Sequence, residues 1–168
     1  WAHMGWIFFK DYKHYQNPEW RHNDLERDPL LQWQERHYLL LVLLTAVVIP
    51  TGFGWMFGQP FEGFAVGGVL RVVVVQHATF FINSLCHCWG KQTYTDRNSA
   101  KDSALLALVT NGEGYHNFHH QFQYDYRNGV RWFQWDPTKW AILIFEKIGL
   151  ASNLKRASAD QILRAKLK

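Results

Sequence analysis

The chain has 168 residues, a formal net charge of +4 at pH 7, 48% hydrophobic residues and nine histidines. This length is sufficient for one domain, and the absence of internal repeats and low-complexity linkers excludes a repeat array. The 18 basic residues lie beside apolar segments and do not form a continuous stripe. This distribution excludes nucleic acid as the main partner.

The first part of the chain, residues 1–37, is rich in charged and aromatic side chains. It contains His14, His22 and His37, whose spacing does not suit binding to a common ion. We predict that this segment is cytoplasmic, as a solvated loop or as a helix at the membrane surface.

Two apolar segments follow, at 38–58 and 64–85. The first contains no charged residue, and the second contains only Arg71. Each has about the 20 residues that an α-helix needs to cross the hydrocarbon layer of a bilayer. A buried helix of a soluble protein is rarely apolar on every face. We therefore predict two transmembrane helices, joined by an external loop at 59–63.

The basic residues predict the orientation of these helices. Five lie before Tyr38, twelve lie after Leu85, and the loop at 59–63 contains none. Because Lys and Arg accumulate on the cytoplasmic side of a membrane, we predict that both flanks, 1–37 and 86–168, are cytoplasmic.

Two residues interrupt the apolar spans. Pro50 predicts a kink, which is tolerated where neighbouring groups bond to the carbonyls that lose their partners. Arg71 is expected to face protein or water rather than lipid. A structural role, in which it bonds to a neighbouring helix, and a functional role are both open alternatives.

A possible metal ligand lies at the end of the second span. Asn83 and His87 are one helical turn apart there. A single histidine at such a position is more often hydrogen bonded than bound to a metal. The interpretation as a ligand depends on further histidines on the same predicted side of the membrane.

Three such histidines, His116, His119 and His120, lie within one helical turn. Residues at i, i+3 and i+4 share one face of a helix, so the three imidazoles can converge. Imidazole is a common ligand of iron, zinc, copper and nickel, and three clustered imidazoles are unfavourable unless something binds them. We predict a metal site; the alternative is a solvated loop that is rich in histidine.

Two carboxylates near these histidines are candidates to orient the imidazoles. Glu113 lies three residues before His116, and Asp125 lies five residues after His120. The alternative for each is a surface carboxylate without a role in the site.

The remaining segment has two helix-start signals. Asp136 precedes a proline and is predicted to cap a helix. Ser158 and Gln161 have the spacing of a capping box. We expect the basic residues of the last helix to contact anionic lipid headgroups.

Four sequence motifs resemble, in chain order, the C-terminal half of the membrane fatty acyl-CoA desaturases. They are WAHMGW, NSLCHCWG, GEGYHNFHH and DYRNGVRWFQWDPTKW. The chain is most similar to the stearoyl-CoA, or delta-9, desaturases of the bacterial type. The resemblance implies an all-α integral membrane helical bundle with four transmembrane helices, of which the chain has two. It also implies a cytoplasmic helical cap with a His-rich metal site.

The resemblance further implies the residues of that site. The family binds two iron ions through many histidines and through one asparagine, which acts by way of a water. By motif position, the direct iron ligands are His87, His116, His119 and His120, and Asn83 is the ligand that acts through water. Lys10 matches a position that contacts the phosphates of coenzyme A.

The implied reaction introduces a cis double bond into a saturated acyl chain. It uses O2 and two electrons from a small electron-transfer protein and its reductase. The substrate would be a fatty acyl-CoA or an acyl-lipid, and the location would be the bacterial cytoplasmic membrane, with the active site on the cytoplasmic side of the lipid bilayer.

The family has two earlier histidine motifs, of the forms HxxxxH and HxxHH, and neither precedes the one HxxHH of this sequence at residues 116–120. We therefore expect the chain to be the C-terminal part of a desaturase domain and to be inactive alone. Two alternatives are another histidine-box membrane oxygenase, such as a hydroxylase or ketolase, and an inactive remnant that serves as a membrane scaffold.

Overall fold

The computed structural model describes residues 2–9 and 23–167, and within these ranges it contains helices and no β-strand. The chain forms two compact units, residues 5–77 and residues 1–4 with 78–168. Among the described residues, three short helices come first: α1 (Gly5–Phe8), α2 (Asn23–Glu26) and α3 (Pro29–Arg36). The long apolar helices are α4 (Tyr38–Met56) and α5 (Pro60–Cys88). They are followed by α6 (Ala104–Val109), α7 (His116–Gln121), α8 (Pro137–Lys147) and α9 (Ala159–Lys166).

Helices α4 and α5 are long and apolar enough to cross a membrane. Only 6% of the most apolar stretch of each helix is buried inside the protein. A core helix of a soluble protein would hide most of such a surface, whereas a bilayer leaves it in contact with lipid. The prediction of two long apolar helices is confirmed, and their exposure is typical of a membrane protein.

The connection between the two helices differs from the prediction. In the structure α5 already begins at Pro60, inside the expected loop at 59–63, and the connection is the turn at residues 57–59. The external position of this connection stays a prediction. Proline suits the first position of a helix, where its missing N–H needs no partner and its fixed φ is already helical. Gly58 closes the turn with a φ of 73°, which a residue without a side chain adopts without strain.

The second long helix also extends beyond its predicted end at residue 85. After the segment Arg71–Asn83 there is a turn at Ser84, and one further helical turn at Leu85–Cys88. This last turn includes His87, so the histidine lies on the helix and not in a following loop.

The backbones of α4 and α5 are almost in contact at two glycines. A Cβ atom on Gly54 would lie 2.7 Å from the Cα of Gly63, and a Cβ atom on Gly63 would lie 2.8 Å from the Cα of Gly54. Small residues permit this approach between membrane helices. The close packing of the hairpin therefore depends on the absence of side chains at these positions.

Pro50 interrupts the hydrogen bonding of α4, while the kink predicted there stays a prediction. A π-helical stretch, Leu44–Val48, precedes it, and the N–H of Ile49 donates to the carbonyl of Leu44. Continuing this pattern would require an N–H at Pro50 directed at the carbonyl of Thr45, and proline has none. The carbonyl of Thr45 therefore needs another donor.

Arg71 supplies that donor. Its Nη2 donates to the carbonyl of Thr45 at 2.9 Å, and its Nε donates to the carbonyl of Gly67 in its own helix at 2.7 Å. A guanidinium group within an apolar span is stabilised by such carbonyl partners. These contacts are those of the structural alternative, in which Arg71 bonds to a neighbouring helix.

The unit that contains the histidine motif has a small apolar core of Phe118, Phe122 and Ala157. Partly buried side chains pack around this core, among them Tyr94 and Val130. Because Phe118 lies on α7, the core fixes the helix that bears the histidines.

Both predicted helix starts are confirmed. The carboxylate of Asp136 accepts the N–H of Lys139 at 3.0 Å and thus caps α8. Ser158 and Gln161 form a reciprocal capping box at the start of α9.

Candidate metal centre

The imidazoles of His87, His116 and His120 converge in one place. The Nε2 atom of His116 lies 3.1 Å from Nε2 of His87 and 3.1 Å from Nε2 of His120. One nitrogen atom from each ring lies within 4.8 Å of the others. This spacing would allow the three side chains to bind one metal ion together.

His116 is the buried member of this group. Burial, followed by the neighbouring imidazoles of His120, His87 and His119, lowers the pKa of His116 to about 3. The pKa of His120 is also lowered, first by burial and then by His87 and His119. At neutral pH both rings are therefore uncharged and have a lone pair for a metal.

The buried Nδ1 atom of His116 has no hydrogen-bond partner in the described part of the chain. Buried polar atoms in folded proteins are nearly always paired, so an unpaired nitrogen on the ring whose Nε2 meets the other two histidines is unusual. Neutral imidazoles are the form that binds metal. The chemistry of the three residues thus fits a bound metal ion.

His119 lies beside this group but does not belong to it. Its ring stacks on that of His116, with 5.7 Å between the ring centroids and an angle of 13° between the planes. Successive residues of a helix point about 100° apart, so His119 and His120 project in different directions from α7. The spacing of i and i+4 brings His116 and His120 together, and the i+3 residue diverges.

The ring of His87 is held by a residue that sequence reasoning missed. Its Nδ1 atom lies 2.9 Å from the hydroxyl oxygen of Ser99, and its Nε2 atom faces His116. A hydrogen bond to the second nitrogen fixes the orientation of an imidazole ligand. Ser99 lies in an irregular segment with no periodic pattern, so no sequence signal pointed to it.

Asp102 fixes the start of α7. One oxygen of its carboxylate, Oδ1, accepts the N–H groups of Asn117 at 2.8 Å and of Phe118 at 3.1 Å. Burial raises the pKa of Asp102 to about 6, although these two bonds act in the opposite direction. The backbone of Asp102 also pairs with that of Lys91, just beyond α5. Asp102 therefore ties the segment after α5 to the histidine helix.

The two carboxylates that were predicted to orient the imidazoles have other partners in the structure. Glu113 accepts a hydrogen bond from Nδ2 of Asn128 at 2.8 Å. Asp125 forms an ion pair with Arg127 at 2.7 Å and accepts the N–H of Ala157 at 2.8 Å. A contact of either carboxylate with an imidazole stays a prediction.

Two further predicted site residues remain without a test. Asn83 ends the segment Arg71–Asn83, and its side chain is exposed one turn before His87. Its role through a water stays a prediction. Lys10 lies outside the described residues.

The donor set of this centre limits the metals that suit it. It offers only imidazole nitrogen atoms, which favour iron, zinc, copper and nickel, whereas magnesium and calcium prefer oxygen ligands. Three nitrogen ligands also leave positions open for further protein ligands or for a reactant.

The chain that contains this centre is similar in sequence to several proteins that are named as desaturases. The chain is 45% identical to acyl-CoA desaturase 1 of Saccharomyces cerevisiae over 98% of its own length and 32% of the relative. It is 42% identical to a probable acyl-CoA desaturase of Schizosaccharomyces pombe, over 96% of the chain and 34% of the relative. The sn-2 palmitoyl-lipid 9-desaturase of a Nostoc strain is 35% identical over 92% of the chain and 53% of the relative. No family model matches the sequence.

The similarity extends over nearly all of the chain, but the chain spans only about a third to a half of the length of these curated relatives. The identities with the two yeast proteins exceed that with the cyanobacterial protein. The expected bacterial type therefore gains no support from the comparisons.

Proposed function

Because the chain belongs to the fatty acyl desaturase family, we propose that it is part of an iron-dependent membrane enzyme that introduces a cis double bond into a saturated acyl chain. The observation that supports this most directly is the convergence of His87, His116 and His120 in a chain that is 45% identical to an acyl-CoA desaturase. Neither the cluster nor the similarity alone would specify the reaction.

In this proposal the histidines hold a two-iron centre. His87, His116 and His120 bind through the nitrogen atoms that converge in the structure, and His119, which lies beside the group, binds the second ion. Asn83 contributes through a water. The bound iron would supply the oxidation, with O2, of an unactivated methylene group. The protein's own part is to hold uncharged imidazoles in place and to keep α7 fixed through Asp102.

The substrate class follows from the family. Relatives are named as acyl-CoA desaturases or as acyl-lipid desaturases, so the acyl chain is common to both, and we propose a fatty acyl-CoA or acyl-lipid as the substrate. O2 and a small electron-transfer protein with its reductase would complete the reaction.

The proposed enzyme has four transmembrane helices, two of which are α4 and α5. Both flanks of this hairpin, with all four histidines, would be on the cytoplasmic side. The additional ligands for two iron ions would come from segments outside the 168 residues.

The decisive experiment measures iron per protein and acyl-chain desaturation in the full-length protein. We expect His116→Ala to remove iron and to lower turnover by more than about 100-fold. That figure is the largest loss usually seen when a residue that only hydrogen bonds to a metal ligand is removed. His119→Ala should have the same effect if it binds the second ion. His77→Ala is the matched control, since it removes an imidazole elsewhere in the chain, and it should retain iron and turnover.

Other outcomes distinguish the alternatives. Full turnover with unchanged iron in His116→Ala would exclude the proposed site. An iron-containing protein that forms hydroxylated rather than unsaturated product would favour the oxygenase alternative. A full-length protein without iron and without activity would favour the membrane scaffold.

The orientation can be tested separately with single cysteines in a Cys86→Ser, Cys88→Ser background. Cysteine at Gln59 should react with a membrane-impermeant reagent in intact cells, and cysteine at Lys155 should react only after lysis. The reverse pattern would contradict the proposed cytoplasmic flanks.

A further inference from the structure

Asn117 lies inside the histidine motif and is completely buried. Its amide uses its full hydrogen-bonding capacity on one loop, residues 94–100. Oδ1 accepts the N–H groups of Tyr94 at 2.7 Å and of Thr95 at 3.2 Å. Nδ2 donates to the carbonyls of Thr95 at 2.7 Å and of Ala100 at 2.9 Å. The side chain next to His116 thus holds both ends of this loop.

The same loop presents Ser99 to His87. On one side of Ser99, the side chain of Asn98 accepts the N–H of Ala100 at 3.0 Å. On the other side, the N–H of Lys101 donates to the carbonyl of Cys86 at 2.7 Å. The backbone around Ser99 is therefore anchored, although its hydroxyl is exposed and bonds to His87 at 2.9 Å.

We propose that Asn117 is a positioning residue that sets the orientation of His87 through the loop at 94–100 and the hydroxyl of Ser99. The connection runs from α7, which bears two of the converging imidazoles, to α5, which bears the third. It makes the relative position of His87 and His116 depend on side-chain hydrogen bonds as well as on the path of the backbone. The relevance of this connection to metal binding rests on the proposed function. The hydrogen bonds that form the connection do not depend on that proposal.

We assign to His87 the tautomer with an unprotonated Nε2, because a metal ligand needs that lone pair and the Ser99 hydroxyl lies where it can accept the remaining proton. The proton of His87 then lies on Nδ1 and is donated to Ser99. This assignment leaves the Nε2 lone pair of His87 directed at the centre, as a metal ligand requires. Loss of the Ser99 hydroxyl removes the partner that favours this tautomer.

The first test uses the chain in detergent micelles without metal. Nitrogen NMR of labelled histidine, assigned with a His87→Gln variant, should show the proton of His87 on Nδ1. Ser99→Ala should shift His87 toward a mixture of tautomers, and Ser99→Thr, which retains the hydroxyl, should restore the original signals. Ser103→Ala is the control, because Ser103 caps α6 through the N–H of Leu106 and so affects stability without an imidazole contact.

The second test measures zinc affinity by competition with a chromophoric chelator. A net hydrogen bond contributes about 1 kcal/mol, and outer partners of ligands contribute about 10- to 100-fold in affinity. We expect Ser99→Ala to weaken zinc binding by about tenfold. Asn117→Ala should weaken it at least as much, and the double variant should be no worse than Asn117→Ala, because both residues act along one path.

Three results would overturn the proposal. The first is an unchanged His87 signal in Ser99→Ala, which by itself suffices even if Asn117→Ala does not fold. The second is an equal response to Ser99→Ala and the Ser103→Ala control, and the third is additive loss of affinity in the double variant. A chain that binds no zinc but shows the tautomer shift supports the positioning path, whereas the metal site of the proposed function is tested by the iron content of the full-length protein.

Discussion

The hairpin of α4 and α5 and the region that contains α6 to α9 are held together by different interactions. In the hairpin, helix backbones meet at glycines, and the one charged side chain within the apolar segments bonds to carbonyls. In the second region, buried polar side chains bond to loop backbone, and the apolar core is small. The stability of the hairpin therefore depends on close packing between helix backbones. The stability of the histidine region depends on hydrogen bonds from individual polar side chains.

This difference predicts where single substitutions have large effects. In the histidine region, each buried polar side chain satisfies several backbone groups that would otherwise be buried without partners. In the hairpin, most backbone groups are paired within the helices, so steric changes at the close contacts should matter most.

The largest effect is expected for Asp136→Ala. Asp136 accepts the N–H groups of Asn128, Gly129 and Lys139. The charge of Asp136 also favours the buried ammonium of Lys139, which donates to three carbonyls. Each buried donor left without a partner costs about 1–3 kcal/mol, so the loss of three acceptor contacts should cost more than about 3 kcal/mol in total. The free energy of unfolding in detergent, followed by tryptophan fluorescence, should fall by that amount.

Asp160→Ala is the control for this substitution. The carboxylate of Asp160 is 81% exposed and lies 3.9 Å from Arg164, so its loss should change the free energy of unfolding by less than about 0.5 kcal/mol. If Asp136→Ala were as mild as Asp160→Ala, the histidine region would not depend on its buried polar groups.

The second prediction concerns the helix contact in the hairpin. In Gly54→Ala, the new Cβ would lie 2.7 Å from the Cα of Gly63, so the helices must separate locally, at about 1–3 kcal/mol. Gly52→Ala is matched in chemistry, but a Cβ there meets nothing within 4 Å. It should be neutral or stabilising by up to about 1 kcal/mol because alanine favours helix. Equal changes in the free energy of unfolding for the two variants would contradict the conclusion that the hairpin depends on close backbone packing at Gly54.

A smaller loss is expected for Arg71→Met. The carbonyl of Thr45 would lose its donor, which costs about 1–3 kcal/mol, but removal of a guanidinium from an apolar span offsets part of this cost. We expect the free energy of unfolding to fall by about 1 kcal/mol. Thr51→Val is the control, since its hydroxyl bonds only to a carbonyl of its own helix. A loss above that of Gly54→Ala would show that polar bonding dominates the hairpin as well.

The smallest effect is a pH dependence at Asp125. Burial alone would raise its pKa, but hydrogen bonds from the Arg127 side chain and from the N–H groups of Ala157 and Arg127 lower the pKa overall. A carboxyl group with a lowered pKa in the folded state stabilises the fold above its unfolded pKa of about 4, and this stability is lost as pH falls further. The unfolding midpoint should therefore decrease below about pH 4.

Asp125→Asn tests this origin. The variant should be less stable at neutral pH and should lose this component of the acid response, whereas Asp160→Asn should retain it. An identical acid response in the wild-type chain and in Asp125→Asn would assign the pH dependence to other carboxylates.

Sequence reasoning predicted the two regions to different extents. Hydropathy located α4 and α5 because a membrane span is encoded by consecutive residues, and the caps at Asp136 and Ser158 were found because capping is local. It missed the start of α5 at Pro60, where the proline occupies the first position of the helix. Local signals were thus sufficient for the elements.

The contacts around the histidines could be predicted only in part. The spacing of His116 and His120 indicated one helix face, and the structure adds His87 from α5. Ser99, Asp102 and Asn117 were not identified, because each acts on residues that are 12 or more positions away. Asparagine and aspartate in a sequence give no sign of which distant backbone groups they satisfy.

The bond between the carboxylate of Asp125 and the N–H of Ala157 has a consequence for the order of folding. It joins residues that are 32 positions apart, whereas the hairpin closes through a turn of three residues. Local contacts form quickly, and contacts between distant positions form late. During synthesis the hairpin can form while the segment around Ala157 is still within the ribosome. The histidine region would then complete its packing last, so this step is where a slow, chaperone-sensitive phase should occur.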